Sequence, residues 1–356
     1  MDQEIKLKKE NIVYKSEARK AIYYSLLKCP DGIIRLYSNR WVKYHNTIFV
    51  ESRDGINFGI EKNIILQKTG ASHNFSPFYG RKNKLYGVGG IDNWKHDKNF
   101  HGIKKYSDFK KVYEEKFQWS CTKEIFDLAE HKKLLSNKKI LSHVRGIYLF
   151  ESEDGIKWKE VYSKPIITTK NEGYIDAIKN FGKGSEFDGL VNCIYDNITD
   201  QYFLYVRANV NPGFRYIQYS TSKDLINWKG FKLINIEGYE KDKDNYYIPC
   251  MMKYRNIFIG LTPYFDQEGS CCIKLLKSLN GIDWQIKTEF FNEKSKLFKG
   301  EKPKNTCHAV YGFYFKKGII NLYIHHNNLG LDSMKPVNVI RYTILEKEFD
   351  KVLELC

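Results

Sequence analysis

Glu186 and Asp188 stand two residues apart in Glu186-Phe187-Asp188-Gly189-Leu190-Val191-Asn192, where the chain turns apolar just after them. On an extended strand such a pair faces one way. Hydrolysis of a glycosidic bond takes one carboxyl as general acid and another as base or nucleophile, placed on either side of the scissile bond. Two carboxyls on one short strand are too close to straddle a sugar oxygen. One of them would therefore work with a carboxylate from elsewhere in the chain, and Asp244, Glu17 and Asp176 are the candidates. The bland reading of each acid is a turn cap or a solvated strand start.

Other residues could hold a sugar. Arg207 and Arg215 would clamp a hydroxyl, carboxylate or phosphate, since a guanidinium suits bidentate recognition; an ion pair between structural units is the alternative. His73, Asn74, Tyr246 and His308 occupy starts of apolar segments, as do Arg19 and Asn305. His325-His326-Asn327-Asn328 clusters donors, although adjacent residues of a strand point to opposite faces, so one histidine at most would reach a site. Tyr37, Trp41, Trp94, Tyr246 and Tyr247 could stack on sugar faces. No carboxylate lies at ligand spacing from the histidine pair, and the eight cysteines form no Cys-x-x-Cys. Neither a metal nor a cofactor is expected.

The elements that must position these residues announce themselves by repetition. Ser52-Arg53-Asp54-Gly55-Ile56-Asn57-Phe58 recurs as Ser152-Glu153-Asp154-Gly155-Ile156-Lys157-Trp158, as Ser222-Lys223-Asp224-Leu225-Ile226-Asn227-Trp228 and as Ser278-Leu279-Asn280-Gly281-Ile282-Asp283-Trp284. Asp or Asn before Gly supplies the positive φ of a tight turn, Ser caps it, and the aromatic packs a strand end. Upstream of Ser222, alternating apolar segments at 188–195, 201–207 and 215–220 read as strands, with 230–235 as a fourth after the phrase. The same unit recurs before Ser278 and before Ser52, and a further one runs from about Thr306 to Ile344 without the phrase.

The interval from His73 to Ser152 is more than twice that of the other units. Its excess is a lysine-rich insertion over 95–139, where Phe109, Val112, Tyr113 and Phe117 share a helical stripe, as do Ile125, Leu128, Ala129 and Leu135. The fold class expected is all-β: one five-bladed β-propeller over residues 1–356, with that helical insertion in its second blade. The first strand of each blade would line the axis, so the polar residues at strand starts converge on one mouth.

Composition excludes little. The net charge of +16 spreads along the chain, with Lys well ahead of Arg and no arginine-rich stripe, and reads as solvated surface rather than a nucleic-acid partner. No apolar run approaches the ~20 residues that span a bilayer, and no apolar h-region follows Met1, so a cytoplasmic, non-membrane protein with buried thiols is expected.

The four phrases, together with Glu186-Phe187-Asp188-Gly189-Leu190-Val191-Asn192, Tyr202-Phe203-Leu204-Tyr205-Val206-Arg207 and Arg215-Tyr216-Ile217-Gln218-Tyr219-Ser220, resemble the five-bladed propeller glycosidases of the invertase-like and arabinanase-like groups. The likeness covers about residues 15–345 apart from the insertion. It implies a glycoside hydrolase with a carbohydrate substrate, and places a catalytic or substrate-binding carboxylate at Asp188. The Trp-Met-Asn-Asp-Pro-Asn-Gly type of motif that carries the nucleophile in invertase-like enzymes has no counterpart here. A glycan- or protein-binding propeller without activity and a glycoside phosphorylase are the alternatives; which sugar, linkage and oligomer apply is not written in the residues.

Overall fold

In a computed structural model of the chain the described residues are 7–16, 21–40, 46–66, 73–90, 103–117, 123, 126–127, 146–176, 189–211, 214–240, 243–266, 271–292, 307–326 and 337–355. They form five mainly antiparallel sheets, each a blade. Blade one contains Ala21–Lys28, Ile34–Arg40, Asn46–Ser52 and Lys62–Asn63; blade two His73–Tyr79, Leu85–Gly90, Ile147–Ser152 and Lys157–Glu160. Blade three runs Asn192–Asp196, Gln201–Asn211, Phe214–Ser222 and Lys232–Leu233. Blade four has a split first strand, Asn245–Tyr246 and Met251–Tyr254, then Ile257–Phe265, Cys271–Ser278 and Asp283–Asn292. Blade five likewise splits its first strand, His308–Ala309 and Tyr314–Lys316, before Ile319–His326 and Asn338–Leu345.

Its outer strand comes from the other end of the chain. Lys8–Lys15 pairs antiparallel with Asn338–Leu345, so the N-terminal segment completes the last blade and closes the ring. The sequence reading missed this strand, because Lys8, Lys9, Glu10 and Asn11 give it a polar edge. Two further details differ from that reading. The stretch 230–235 does not remain in blade three: Lys232–Leu233 pairs with Phe214–Ser222, and Asn235–Ile236 then pairs parallel with Asp283–Asn292 of blade four. A short C-terminal helix, Glu346–Val352, docks on blade four, where Tyr254 and Arg255 both bond Asp350.

Among the described residues, five apolar clusters fill the interfaces between successive blades. A blade twists too strongly to bury both faces alone, and each of these clusters joins at least two sheets. The phrases lie at one end of the barrel of blades and are built as their residue types dictate. The serine Oγ accepts the N–H three residues on, at 3.0, 2.9, 3.0 and 2.9 Å in the four copies. The Asp or Asn Oδ1 takes the next two N–H groups. Gly55, Gly155 and Gly281 adopt φ of +74° to +75°.

A tyrosine from the preceding blade latches three of these turns. The hydroxyls of Tyr323, Tyr37 and Tyr205 donate to the carbonyls of Gly55, Gly155 and Gly281 at 2.8, 2.8 and 2.7 Å. A Cβ on any of those glycines would stand 2.7–2.8 Å from the tyrosine oxygen, which excludes a side chain. Strand register puts Val88 in the tyrosine's place in blade two, and there the next phrase carries Leu225, at φ +68°. Leu261 takes the place in blade four, and the blade after it has no phrase. Glycine and tyrosine are thus parts of one contact, lost together.

In the insertion, Tyr106–Phe117 is a helix as its stripe predicts, with Phe109 buried against Phe126 at 5.6 Å between ring centroids. No helix among the described residues is long and apolar enough to cross a membrane.

Candidate functional site

The opposite end of the blades is the mouth, where first strands begin and second strands end. Tyr23 and Asn74 occupy matching positions there in blades one and two. Each has φ +58°, and each sits at a register shift in its strand. Left-handed backbone at a tyrosine is costly, and a bulge that re-aims side chains is a common reason to hold it at a site.

Below them the axis is closed. Ser25 Oγ donates to the Phe75 carbonyl at 3.2 Å, Met251 N–H donates to Asn192 Oδ1 at 2.9 Å, and Tyr311 exchanges backbone bonds with blade one through Leu26 N–H and the Tyr24 carbonyl. The Tyr311 hydroxyl then crosses from blade five to the Cys193 carbonyl of blade three at 3.1 Å. Anything entering by the mouth meets this floor.

Above the floor, His308 and His325 are cross-strand partners with perpendicular rings 5.1 Å apart. Tyr23 lies parallel to His308 at 6.1 Å, Tyr24 packs on His325 at 5.1 Å, and Tyr247 on His308 at 5.5 Å. Burial drives the value of His308 down to about 3, and burial with the neighbouring His308 and His326 takes His325 well below the usual histidine range. Both imidazoles are neutral at physiological pH. His326 faces the other way, its Nε2 3.2 Å from the Tyr342 hydroxyl, as the strand alternation requires.

Blade three contributes the arginines. Arg215 is the cross-strand partner of Asn209, and Arg207 is two residues before Asn209, so all three share one face. The guanidinium carbons of Arg207 and Arg215 lie 5.5 and 5.8 Å from the centre of the Tyr247 ring. Asn209 Nδ2 donates to Asp176 Oδ1 at 3.0 Å, fixing a nearly buried carboxylate beside them. Asn245 Oδ1 accepts the Arg215 backbone N–H at 3.1 Å, which ties blade four to this strip. Gly189 has φ +111°, and a Cβ there would lie 3.6 Å from the Arg207 side chain. The chain thus enters blade three against Arg207.

Of the residues nominated from sequence, Arg207, Arg215 and His308 gather around Tyr247, and His325 adjoins through His308. Asn74 is buried at the mouth end of blade two. Tyr246 is turned away from the axis, packed on Tyr216 and Tyr264 between blades three and four, while its neighbour Tyr247 faces the arginines. Asp244 accepts the Tyr264 hydroxyl at 2.8 Å and the Glu240 N–H at 2.7 Å, closing the turn before blade four. Tyr37 is a latch. Glu186, Asp188, Glu17, Arg19, Trp41, Trp94, Asn305, Asn327 and Asn328 lie outside the described residues, and His73 is described in its backbone alone. Tyr23 and Asn209 were not nominated; nothing in their local sequence distinguishes them from core residues.

A cleft of about 760 Å³ on the flank between blades one and two is a different kind of place. Its Lys84 and Lys159 both pair with its Glu151, at 2.5 and 2.8 Å, and its Trp158 is buried.

No protein-family model and no curated protein sequence matches the chain. Solved structures do. An N-acetylgalactosamine deacetylase from F. plautii, in complex with blood group B trisaccharide, superposes with a TM-score of 0.59 at 12% identity, covering 98% of this chain and 97% of the other. An endo-arabinase from Bacteroides thetaiotaomicron gives 0.52 at 12% identity over 93% and 96%. The alpha-L-arabinanase of Penicillium chrysogenum, complexed with arabinobiose, gives 0.50 at 11% over 96% and 99%. The chain has the five-bladed propeller fold of these carbohydrate-active proteins, at a sequence distance that leaves the fold as what they share.

Proposed function

We propose that the chain is a glycoside hydrolase that takes a glycan at the axial mouth and cleaves a glycosidic bond there. The observation that carries this reading is the convergence of Arg207 and Arg215 from blade three, Tyr247 from blade four and His308 from blade five on a mouth closed from below. Tyr247 offers a ring for a sugar face, and the neutral imidazoles and guanidiniums offer hydrogen bonds to hydroxyls. Asp188 would serve as one catalytic carboxyl; it directly precedes Gly189, whose backbone packs on Arg207. Asp176 or a carboxyl from another blade, with Asp244 among the candidates, would be the second. Their separation would set the stereochemistry, ~5–5.5 Å for retention and ~6.5–9.5 Å for inversion.

The test is turnover of a panel of aryl glycosides and oligosaccharides by the wild type and by Asp188→Asn. Arabino-oligosaccharides and N-acetylgalactosaminides come first, given the fold neighbours. Hydrolysis abolished by the substitution, with glycan binding kept, supports the reading. Unchanged turnover removes Asp188 from the mechanism, and binding without turnover on the whole panel leaves a glycan-binding propeller.

A further inference from the structure

We propose that Asp176 is the second carboxyl of the mouth, carried there by residues 172–176 and set in place by Gln218. The proposal rests on the mouth being the substrate site, and it names the partner of Asp188. Residues 172–176 belong to the connection from blade two to blade three, and they cross blade three strand by strand. Phe231 N–H, just before the outer strand, donates to the Glu172 carbonyl at 2.7 Å. Gln218 on the third strand bonds Ile175, and Asn209 on the second strand bonds Asp176. The segment therefore travels from the rim towards the axis and brings an acid with it.

Gln218 is fully buried in mid-strand, where an amide is costly unless its groups are bonded. Its Oε1 accepts the Ile175 N–H at 2.9 Å, and its Nε2 donates to the Ile175 carbonyl at 2.9 Å and to the Arg207 carbonyl at 3.1 Å. One side chain thus serves Ile175 as a strand edge would. It ties the residue before Asp176 to the backbone of Arg207, and Tyr174 adds a ring contact with Phe231 at 5.3 Å. A reacting group works only when its neighbours hold it in a fixed place, and the crossing supplies that hold.

The contact at Asp176 itself points to a ligand. Asn209 lies two residues from the end of its strand, Gln201–Asn211, at the mouth. Its Nδ2 donates to Asp176 Oδ1 at 3.0 Å, which fixes the direction of the amide and leaves Asn209 Oδ1 buried with no partner among the described residues. Such an acceptor is costly to leave unbonded. Beside a carboxylate, it suits a donor from outside the chain, a sugar hydroxyl or the water that attacks the anomeric carbon. Asp244 offers no such place, since one of its oxygens accepts the Tyr264 hydroxyl and the other the Glu240 N–H.

The experiment uses the full chain and the best substrate of the aryl-glycoside and oligosaccharide panel. Values of kcat, KM and the urea midpoint are measured for the wild type, Asp176→Asn, Gln218→Met, Asn209→Ala and a control at the phrase end, Asp200→Asn. Hydrogen exchange is followed in a peptide that covers 172–176. Asp176→Asn should lower kcat by roughly 10²–10⁴-fold with KM little changed. Gln218→Met keeps the length and removes all three bonds, so the Ile175 amide should exchange faster and kcat should fall by about 10²-fold, the usual result of a misplacement near ~1 Å. Asn209→Ala should also lower kcat and spare KM; if Gln218→Met does not fold, Asn209→Ala carries the positioning test. Asp200→Asn should leave kcat unchanged.

Turnover kept by Asp176→Asn, where the wild type hydrolyses the panel, overturns the assignment and leaves the glycosidase reading standing. Faster exchange in Gln218→Met with kcat unchanged removes Gln218 as a positioning residue. A wild type inactive on the whole panel overturns the glycosidase reading itself, and the catalytic role of Asp176 with it.

Discussion

Tyr323 and His325 stand two residues apart on the same face of one strand, as do Tyr205 and Arg207, yet the two members of each pair live in different physical regimes. Each tyrosine ends in a hydrogen bond to a turn glycine of the next blade. Two residues nearer the mouth, Arg207 approaches Tyr247 of the next blade, and His325 is fully buried against Tyr24 with neither ring nitrogen hydrogen-bonded among the described residues. Buried polar groups left unsatisfied cost about 1–3 kcal/mol each. The phrase end therefore stabilises the ring, while the mouth end draws on that stability to hold polar groups and left-handed backbone in place. A site of this kind needs a rigid scaffold a few ångströms away, and the latch supplies it.

The sharpest way to separate the two ends is a substitution that affects activity alone. Asp188→Asn should lower kcat by roughly 10²–10⁴-fold, the usual size of an acid–base contribution, while leaving the urea midpoint within error. A comparable loss of stability would show Asp188 to be structural. The reverse experiment is Gly155→Ala. Its Cβ would stand 2.6 Å from Cys29 Sγ and 2.8 Å from the Tyr37 oxygen at a φ of +75°, so a loss of about 2–4 kcal/mol is expected from strain and overpacking. On a Tyr37→Phe background Gly155→Ala should cost less, because the phenolic oxygen that its Cβ meets is gone. An equal cost on the two backgrounds would break the link between glycine and latch.

Acid separates the ends by pH. His308 has its folded value lowered to about 3 from an ordinary 6.5, so between these the unfolded chain binds more protons. Stability is then fully present above about pH 6.5 and falls as the pH drops below it, by about 1.4 kcal/mol per unit for each such group. The phrase acids act lower. The N–H groups of Asn57 and Ile56 hold Asp54 well below the usual carboxylate range; at Asp224 desolvation opposes the N–H groups of Asn227 and Ile226, and the value comes to about 2. Their contribution is present above about pH 4 and is lost as the pH falls towards 2. Urea midpoints at pH 7 and 5 should therefore differ in the wild type, and the difference should shrink in His308→Phe, where the buried His325 alone remains. An unchanged wild-type midpoint would contradict the burial of neutral histidine.

The smallest effect belongs to a single hydroxyl. Tyr205→Phe removes the bond to the Gly281 carbonyl and should cost about 1 kcal/mol in a urea melt, with turnover unaffected. A fall in kcat without loss of stability would mean that the latch acts on the mouth directly.

The phrase end was largely legible in the residues. Ser, Asp and Gly at fixed offsets specify hydrogen bonds within seven residues, so type and spacing suffice, and four copies count blades. The tyrosine that explains Gly55, Gly155 and Gly281 was not legible, because it lies a blade away. Leu225 in the third phrase becomes intelligible once Val88 is seen to stand where the other blades have tyrosine. At the mouth, Arg207, Arg215, His308 and His325 could be nominated from strand register. The choice of Tyr247 over Tyr246 could not, because the first strand of blade four is interrupted after Tyr246 and strict alternation fails there.

By itself the sequence determined the repeated turn, the blade count, the helix over Tyr106–Phe117 and the identity of the polar residues at strand starts, since each depends on contacts between near neighbours in the chain. Only the tertiary structure decided that Lys8–Lys15 closes the ring, that Tyr311 seals the axis and that two arginines meet one tyrosine ring. These are encounters between residues tens to hundreds of positions apart, fixed by how the blades pack and not by any local preference.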